Sequence, residues 1–133
     1  MQIKKRLQTE RAKVEYGCVD KENQGIVYTS FKIKVKPKYD DDWDSLIPKF
    51  KKGVKYGIKE IINNNEIFDS QTIVDINTFT ERIMANKKSL FTIDVYLRQR
   101  DPIHMIDEID TEILSIIHQI EQMYVSELKS VGL

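Results

Sequence analysis

Residues 26–36 read Ile-Val-Tyr-Thr-Ser-Phe-Lys-Ile-Lys-Val-Lys, and this stretch decides the fold. Apolar or small side chains alternate with polar ones along the whole segment. A period of two places successive side chains on opposite faces of a β-strand, so the segment predicts a strand with one buried face. The other face carries Tyr28, Ser30, Lys32, Lys34 and Lys36. Pro37 follows, and because proline has no backbone N–H it ends the hydrogen-bond ladder.

Three further segments predict strands, at residues 10–18, 70–76 and 90–98. The first and the last show the same alternation as residues 26–36. Polar turn material at residues 20–25 joins the first of them to residues 26–36, which predicts an antiparallel hairpin.

Apolar residues at three- and four-residue spacing predict two long helices, the first opening at residues 40–45 and the second covering about residues 103–129. Asn63, Asn64 and Asn65 supply the end of the first helix. Thr78 and Glu81 match a capping box, so a short helix is predicted from there to about Asn86.

The two halves of the chain resemble each other at an offset of 60 residues, since Phe31, Ile33 and Val35 correspond to Phe91, Ile93 and Val95. A strand–strand–helix (ββα) unit used twice would explain the matches, although any two half-buried strands share such residues. We therefore predict one α+β domain over residues 1–133. Its architecture is a two-layer sandwich, with a mostly antiparallel four-stranded sheet and two long helices on one face.

The charge balance is zero overall, from 21 basic and 21 acidic residues in a chain of 133. Residues 1–60 carry 15 basic and 9 acidic side chains, whereas residues 61–133 carry 6 and 12. The composition is typical of a soluble globular protein. No apolar run reaches the length of a membrane span, and the first residues lack the apolar stretch of a secretory signal, which predicts a cytoplasmic or virion location.

One function hypothesis follows from the face of the sheet that the helices leave open. Aromatic rings stack on bases and cations contact phosphates, so such a face predicts a non-enzymatic accessory protein that binds single-stranded nucleic acid. The candidate residues are Tyr28, Lys32, Lys34, Lys36, Tyr96 and Arg98. Arg11 and Lys13 extend the set, whereas Asp94 and Glu15 dilute it. The alternative is that the lysines only keep an exposed sheet face from aggregating.

The second hypothesis is a self-assembling structural or interaction protein, such as a phage component or inhibitor. The apolar stripe of the last helix is wider than one packing partner requires. Either the helix lies flat on a sheet, or part of the stripe contacts another subunit of a homo-oligomer or a different protein partner. The predicted interface residues are Ile109, Ile113, Ile116 and Ile120.

Catalytic and cofactor motifs are not found in the sequence. Asp40, Asp42 and Asp44 imitate the start of a calcium loop, but Ser45 stands where that loop needs glycine. His104 has acidic neighbours, which keeps a small metal-dependent hydrolase as a third hypothesis. We predict no catalytic residues, no metal and no cofactor.

Overall fold

The central strand of the structure, a computed structural model, is β3 (Ile26–Val35). The structure describes residues 2–19, 25–35, 43–69, 71–83, 86–100 and 104–130. The other strands are β1 (Gln2–Gln8), β2 (Ala12–Cys18), β4 (Ile73–Ile83) and β5 (Asn86–Arg98). All neighbouring strands are antiparallel, in the order β1-β2-β3-β5-β4.

Two helices cover one face of this sheet, α1 (Trp43–Asn63) and α2 (Asp110–Ser130), the latter preceded by a 3₁₀ turn. The Phe50 ring of α1 lies 4.7 Å from the Phe91 ring of β5, and the Tyr124 ring of α2 lies 6.0 Å from Phe31 of β3. The inward positions of β2, β3 and β5 are buried beneath the helices, as their alternation predicts. The α+β class and the helices on one face are therefore confirmed.

The two helices run in opposite directions where they meet. A Cβ atom on Gly53 would collide with the Glu127 carboxylate, and one on Gly57 would lie 2.6 Å from the Cγ atom of Met123. The two glycines, four residues apart on α1, therefore face two side chains that are four residues apart on α2. Glycine at these positions lets α2 approach the backbone of α1 closely.

The side chain of Asn65 orders the turn that follows α1. Its Oδ1 atom accepts hydrogen bonds from the backbone N–H groups of Ile67 and Phe68, at 2.8 and 3.1 Å. This arrangement satisfies backbone donors in the turn that leads from the helix to β4. The predicted helix end at the three asparagines is confirmed.

The predicted strand count was wrong, because the sheet has five strands and β1 is the additional one. The helix predicted from Thr78 to Asn86 was also wrong, since β4 continues to Ile83 and pairs with β5 over eleven residue pairs. A long hairpin ladder satisfies more backbone groups than a helix of about nine residues, whose ends leave four donors and four acceptors unpaired, so strand pairing overrides the local capping signal.

The internal repeat at a constant offset is not confirmed by the strand register. Val14 pairs with Phe31, so an offset of 60 would pair Val74 with Phe91. Phe91 instead pairs with Thr78, and Val74 pairs with Val95. The strand–strand–helix order does occur twice after β1, but β4 lies four residues out of the predicted register.

Within the described residues, no helix combines the length and the apolar character needed to cross a bilayer.

Candidate functional site

The sheet face opposite the helices, here called the open face, carries polar side chains from every strand. Strand pairing places residues of neighbouring strands in rows across this face, because directly opposed side chains share a face. The first row contains Tyr28 and Tyr96. The middle row contains Glu15, Ser30, Asp94 and Asp75. The third row contains Gln8, Lys13, Lys32, Thr92 and Asn77.

The two tyrosines form a ring pair at the centre of the sheet. Tyr28 lies directly opposite Tyr96, and their ring centroids are 5.2 Å apart with 52° between the planes. The Tyr28 hydroxyl donates a hydrogen bond of 3.1 Å to Oδ1 of Asp94. Burial raises the pKa of Tyr28 above its usual 10.0, with a further contribution from Asp94, so the ring stays neutral at physiological pH. The pair is a partly exposed aromatic surface held in place from one side.

Three lysines form a second feature, here called the lysine cluster: Lys13, Lys32 and Lys34. Lys13 lies directly opposite Lys32, and Lys34 follows on the same face of β3. All three are exposed, and no ion pair within the described part of the chain involves them. Like charges directly opposite on a sheet destabilise it. The cluster therefore carries a positive potential that the described side chains do not neutralise.

Acidic residues divide the open face. Asp75 of β4 lies directly opposite Asp94 of β5, which makes that side of the middle row negative. On the other side of the row, Glu15 is neutralised by Arg6, whose Nε donates to its Oε1 at 3.2 Å. The β3 positions between the tyrosine and the lysines hold only Ser30. Ser30 is buried and lies between Glu15 and Asp94 in its row, so the acidic side chain on the β2 side of β3 is the one paired with a cation.

Arg98, another predicted site residue, lies apart from the lysine cluster. Arg98 stands opposite Ile26, beyond the tyrosine pair, and its Nη1 donates to Oε1 of Gln71 at 2.7 Å. Lys36 lies outside the described residues. The structure thus brings Lys32 and Lys34 together at one end of the face, and it places Arg98 at the other.

The four isoleucines predicted as an oligomer interface are core residues of this chain. At most 3 % of each side chain is exposed in Ile109, Ile113, Ile116 and Ile120. The stripe on α2 is wide because the helix packs against the sheet on one side and against α1 on the other. These side chains offer no free surface to a second copy, and self-assembly through other residues stays a prediction.

His104 does not meet the requirements of a metal centre in the described structure. Its Nδ1 atom lies 3.7 Å from Oε2 of Glu108, four residues along the chain. Among the described side chains, no three histidine, cysteine or carboxylate groups lie together in an arrangement that could hold a metal ion.

Two structural features near the open face were not predicted from the sequence. Alternation places Lys13 outward, but only the strand register places it opposite Lys32. Gln99 is buried, and its side-chain amide bonds both backbone groups of His104 at 2.8 and 3.0 Å, which fixes the chain as it leaves the sheet. A glutamine after an alternating strand gives no local signal for this role.

No protein-family model matches the sequence, and no curated protein is significantly similar to it.

Proposed function

We propose that the open face of the sheet binds single-stranded nucleic acid without catalysing a reaction. The observation that carries the proposal is the Lys13–Lys32 pair, two opposed cations that no described carboxylate neutralises. A polyanion would remove their repulsion, and binding would release counterions from its phosphates.

The ring pair supplies the second part of the proposed interface. Tyr28 and Lys32 are four residues apart on one strand, or about 13 Å at the usual strand rise. Bases stacking on Tyr96 and Tyr28 would leave the backbone of the strand free to follow β3 to the lysine cluster. Stacking tolerates any base, so this arrangement supports binding with weak sequence preference.

The acidic residues of the middle row determine which side of the open face the bound strand would follow. Asp75 and Asp94 lie on the β4 and β5 side, where they would repel phosphates, whereas Glu15 on the β2 side is paired with Arg6. The bound strand would therefore follow β2 and β3 between the tyrosines and the lysines.

The test is fluorescence anisotropy with a labelled oligothymidine. Three phosphate contacts predict a slope near −2 in log K against log salt, so affinity should fall about 20-fold between about 50 and about 200 mM salt. Replacing all three lysines of the cluster by glutamine should abolish this dependence. The matched control replaces three exposed lysines elsewhere, Lys49, Lys59 and Lys129, with the same change of net charge.

The ring pair is tested by Tyr96→Leu, which keeps an apolar side chain and removes the stacking surface. Loss of one stacked base should weaken binding about tenfold at constant salt. Equal binding by the cluster variant and the control variant would contradict the proposal, as would a slope near zero.

A further inference from the structure

The outer edge of strand β4 and the helix beside it form a groove separate from the open face. β4 is the last strand of the sheet, and in the described structure β5 is its one partner strand. The backbone N–H and C=O groups of every second residue in an edge strand point away from the sheet and can pair with a further strand.

A cleft of about 500 Å³ lies between this edge and α1. Its β4 side is formed by Val74, Asp75 and Ile76, and its α1 side by Pro48 and three lysines, Lys51, Lys52 and Lys55. Positions 48, 51, 52 and 55 share one side of a helix, because they follow the spacing of its turns. The groove has an apolar floor at Val74 and Ile76 and a cationic wall.

From this geometry we infer that the groove binds an extended acidic peptide segment, which adds to the sheet as a sixth strand beside β4. Backbone pairing would supply affinity, and the helix wall would select the side chains. The site is independent of the proposed nucleic-acid interface, since none of its lysines belongs to the lysine cluster.

The spacing of the wall matches that of a strand. Lys51 and Lys55 are one helical turn apart, about 6 Å along the axis. Every second residue of an extended chain is about 6.6 Å apart, and those side chains point to the same face. Acidic residues at alternate positions of the added strand would therefore each meet one lysine. The stems of these lysines line the cleft, with Lys51 half-buried.

Asp75 restricts the class of partner that the groove can bind. It is exposed at the edge and opposes Asp94 on the open face, so the other side of an added strand would meet negative charge. A segment that alternates acidic and uncharged residues avoids this repulsion, whereas a uniformly charged polyanion does not. The observations therefore favour a peptide over nucleic acid in this groove.

The test is a titration of the whole protein with a fluorescent peptide of about eight residues, a common strand length, that alternates glutamate and threonine. Lys51→Glu/Lys55→Glu should weaken binding at least about tenfold, because each contact becomes repulsive. The matched control is Lys49→Glu/Lys59→Glu, on the same helix and outside the cleft, with a change below about twofold expected. Circular dichroism melting checks that both variants fold.

Strand addition is separated from simple charge attraction by a peptide with N-methylated backbone at alternate positions, made in both registers. Methylation removes the donors while keeping every charge, so one register should lose binding about tenfold and the other should keep it. Replacing the lysine cluster by glutamine should leave peptide binding unchanged, which distinguishes this site from the proposed function. The inference is overturned by absent peptide binding, by equal binding of both methylated peptides, or by displacement of the peptide by oligothymidine.

Discussion

Lys13 of β2 lies directly opposite Lys32 of β3, with both side chains exposed on the same face of the sheet. Opposed like charges lower the free energy of unfolding, whereas opposite charges raise it. We expect Lys13→Glu to stabilise the protein by about 0.5–1 kcal/mol in urea unfolding at low salt. The gain should shrink at high salt, because exposed charges are screened.

Lys49→Glu is the control for this prediction, since it makes the same charge change at an exposed position of α1. Its effect on the free energy of unfolding should stay within about 0.5 kcal/mol. If the Lys13 gain does not exceed the Lys49 effect or does not depend on salt, the two ammonium groups do not repel. The same variant should bind oligothymidine less tightly, so stability and binding would change in opposite directions.

The glycines of α1 provide a matched pair for testing the helix contact. Gly53→Ala should be neutral or stabilising by up to about 1 kcal/mol, because alanine favours helix and the Glu127 carboxylate can swing away. Gly57→Ala should destabilise by about 1–2 kcal/mol, since the new Cβ meets Met123 at Cγ, close to the α2 backbone. Chemical denaturation of both variants measures the difference.

A double-mutant cycle isolates this contact from helix propensity. Truncating Met123 to alanine removes the colliding atoms, so Gly57→Ala should cost at least about 1 kcal/mol less in that background. A coupling energy near zero would show that α1 and α2 are not this close.

The central strand and the helices were predictable because their signals are local and strong. β3 alternates over its whole length, and α1 begins and ends within a few residues of its predicted limits. β1 was missed because its sequence is mostly polar and a register irregularity between Ile3 and Lys5 breaks its period. Lys5 pairs with Tyr16 and bonds Asp110 of α2, so a residue that looks exposed in the sequence faces the helix layer.

The sequence predicts which face of a strand a candidate site residue occupies, but it does not predict which residue lies opposite it. Alternation places Tyr28 and Lys32 on one face, which needs no knowledge of neighbouring strands. The opposition of Lys13 to Lys32 depends on register, and the groove beside β4 depends on where α1 packs. Both depend on contacts between residues that are distant in the sequence, so local sequence patterns do not predict them.

Tyr16 connects the sheet to the start of α2. Its hydroxyl donates a hydrogen bond of 2.6 Å to Oδ1 of Asp110, and Nζ of Lys5 lies 2.8 Å from the same oxygen. Hydrogen bonds to charged groups contribute more than neutral ones, so Tyr16→Phe should cost about 2 kcal/mol in urea unfolding. Tyr56, which is 66 % exposed, is the control, and Tyr56→Phe should change stability by less than about 0.5 kcal/mol. Equal effects of the two variants would mean that the bond to Asp110 contributes nothing.

The same hydroxyl makes the protein sensitive to alkaline pH. Burial raises the pKa of Tyr16 well above its usual 10.0, and the hydrogen bond to Asp110 and the charge of Asp110 raise it further. Burial and the charge of Glu121 likewise raise the pKa of Tyr124. The folded state therefore holds these protons more tightly than the unfolded state. Their contribution is complete well below pH 10 and is lost as pH rises through 10, at a rate that reaches about 1.4 kcal/mol per pH unit for each tyrosine once the unfolded-state hydroxyl is ionised. Between about pH 10 and 11 the Tyr16→Phe variant should lose less stability than the wild type, because it has one fewer such proton. Urea unfolding at both pH values measures this difference, and parallel losses in the two proteins would contradict the raised pKa of Tyr16.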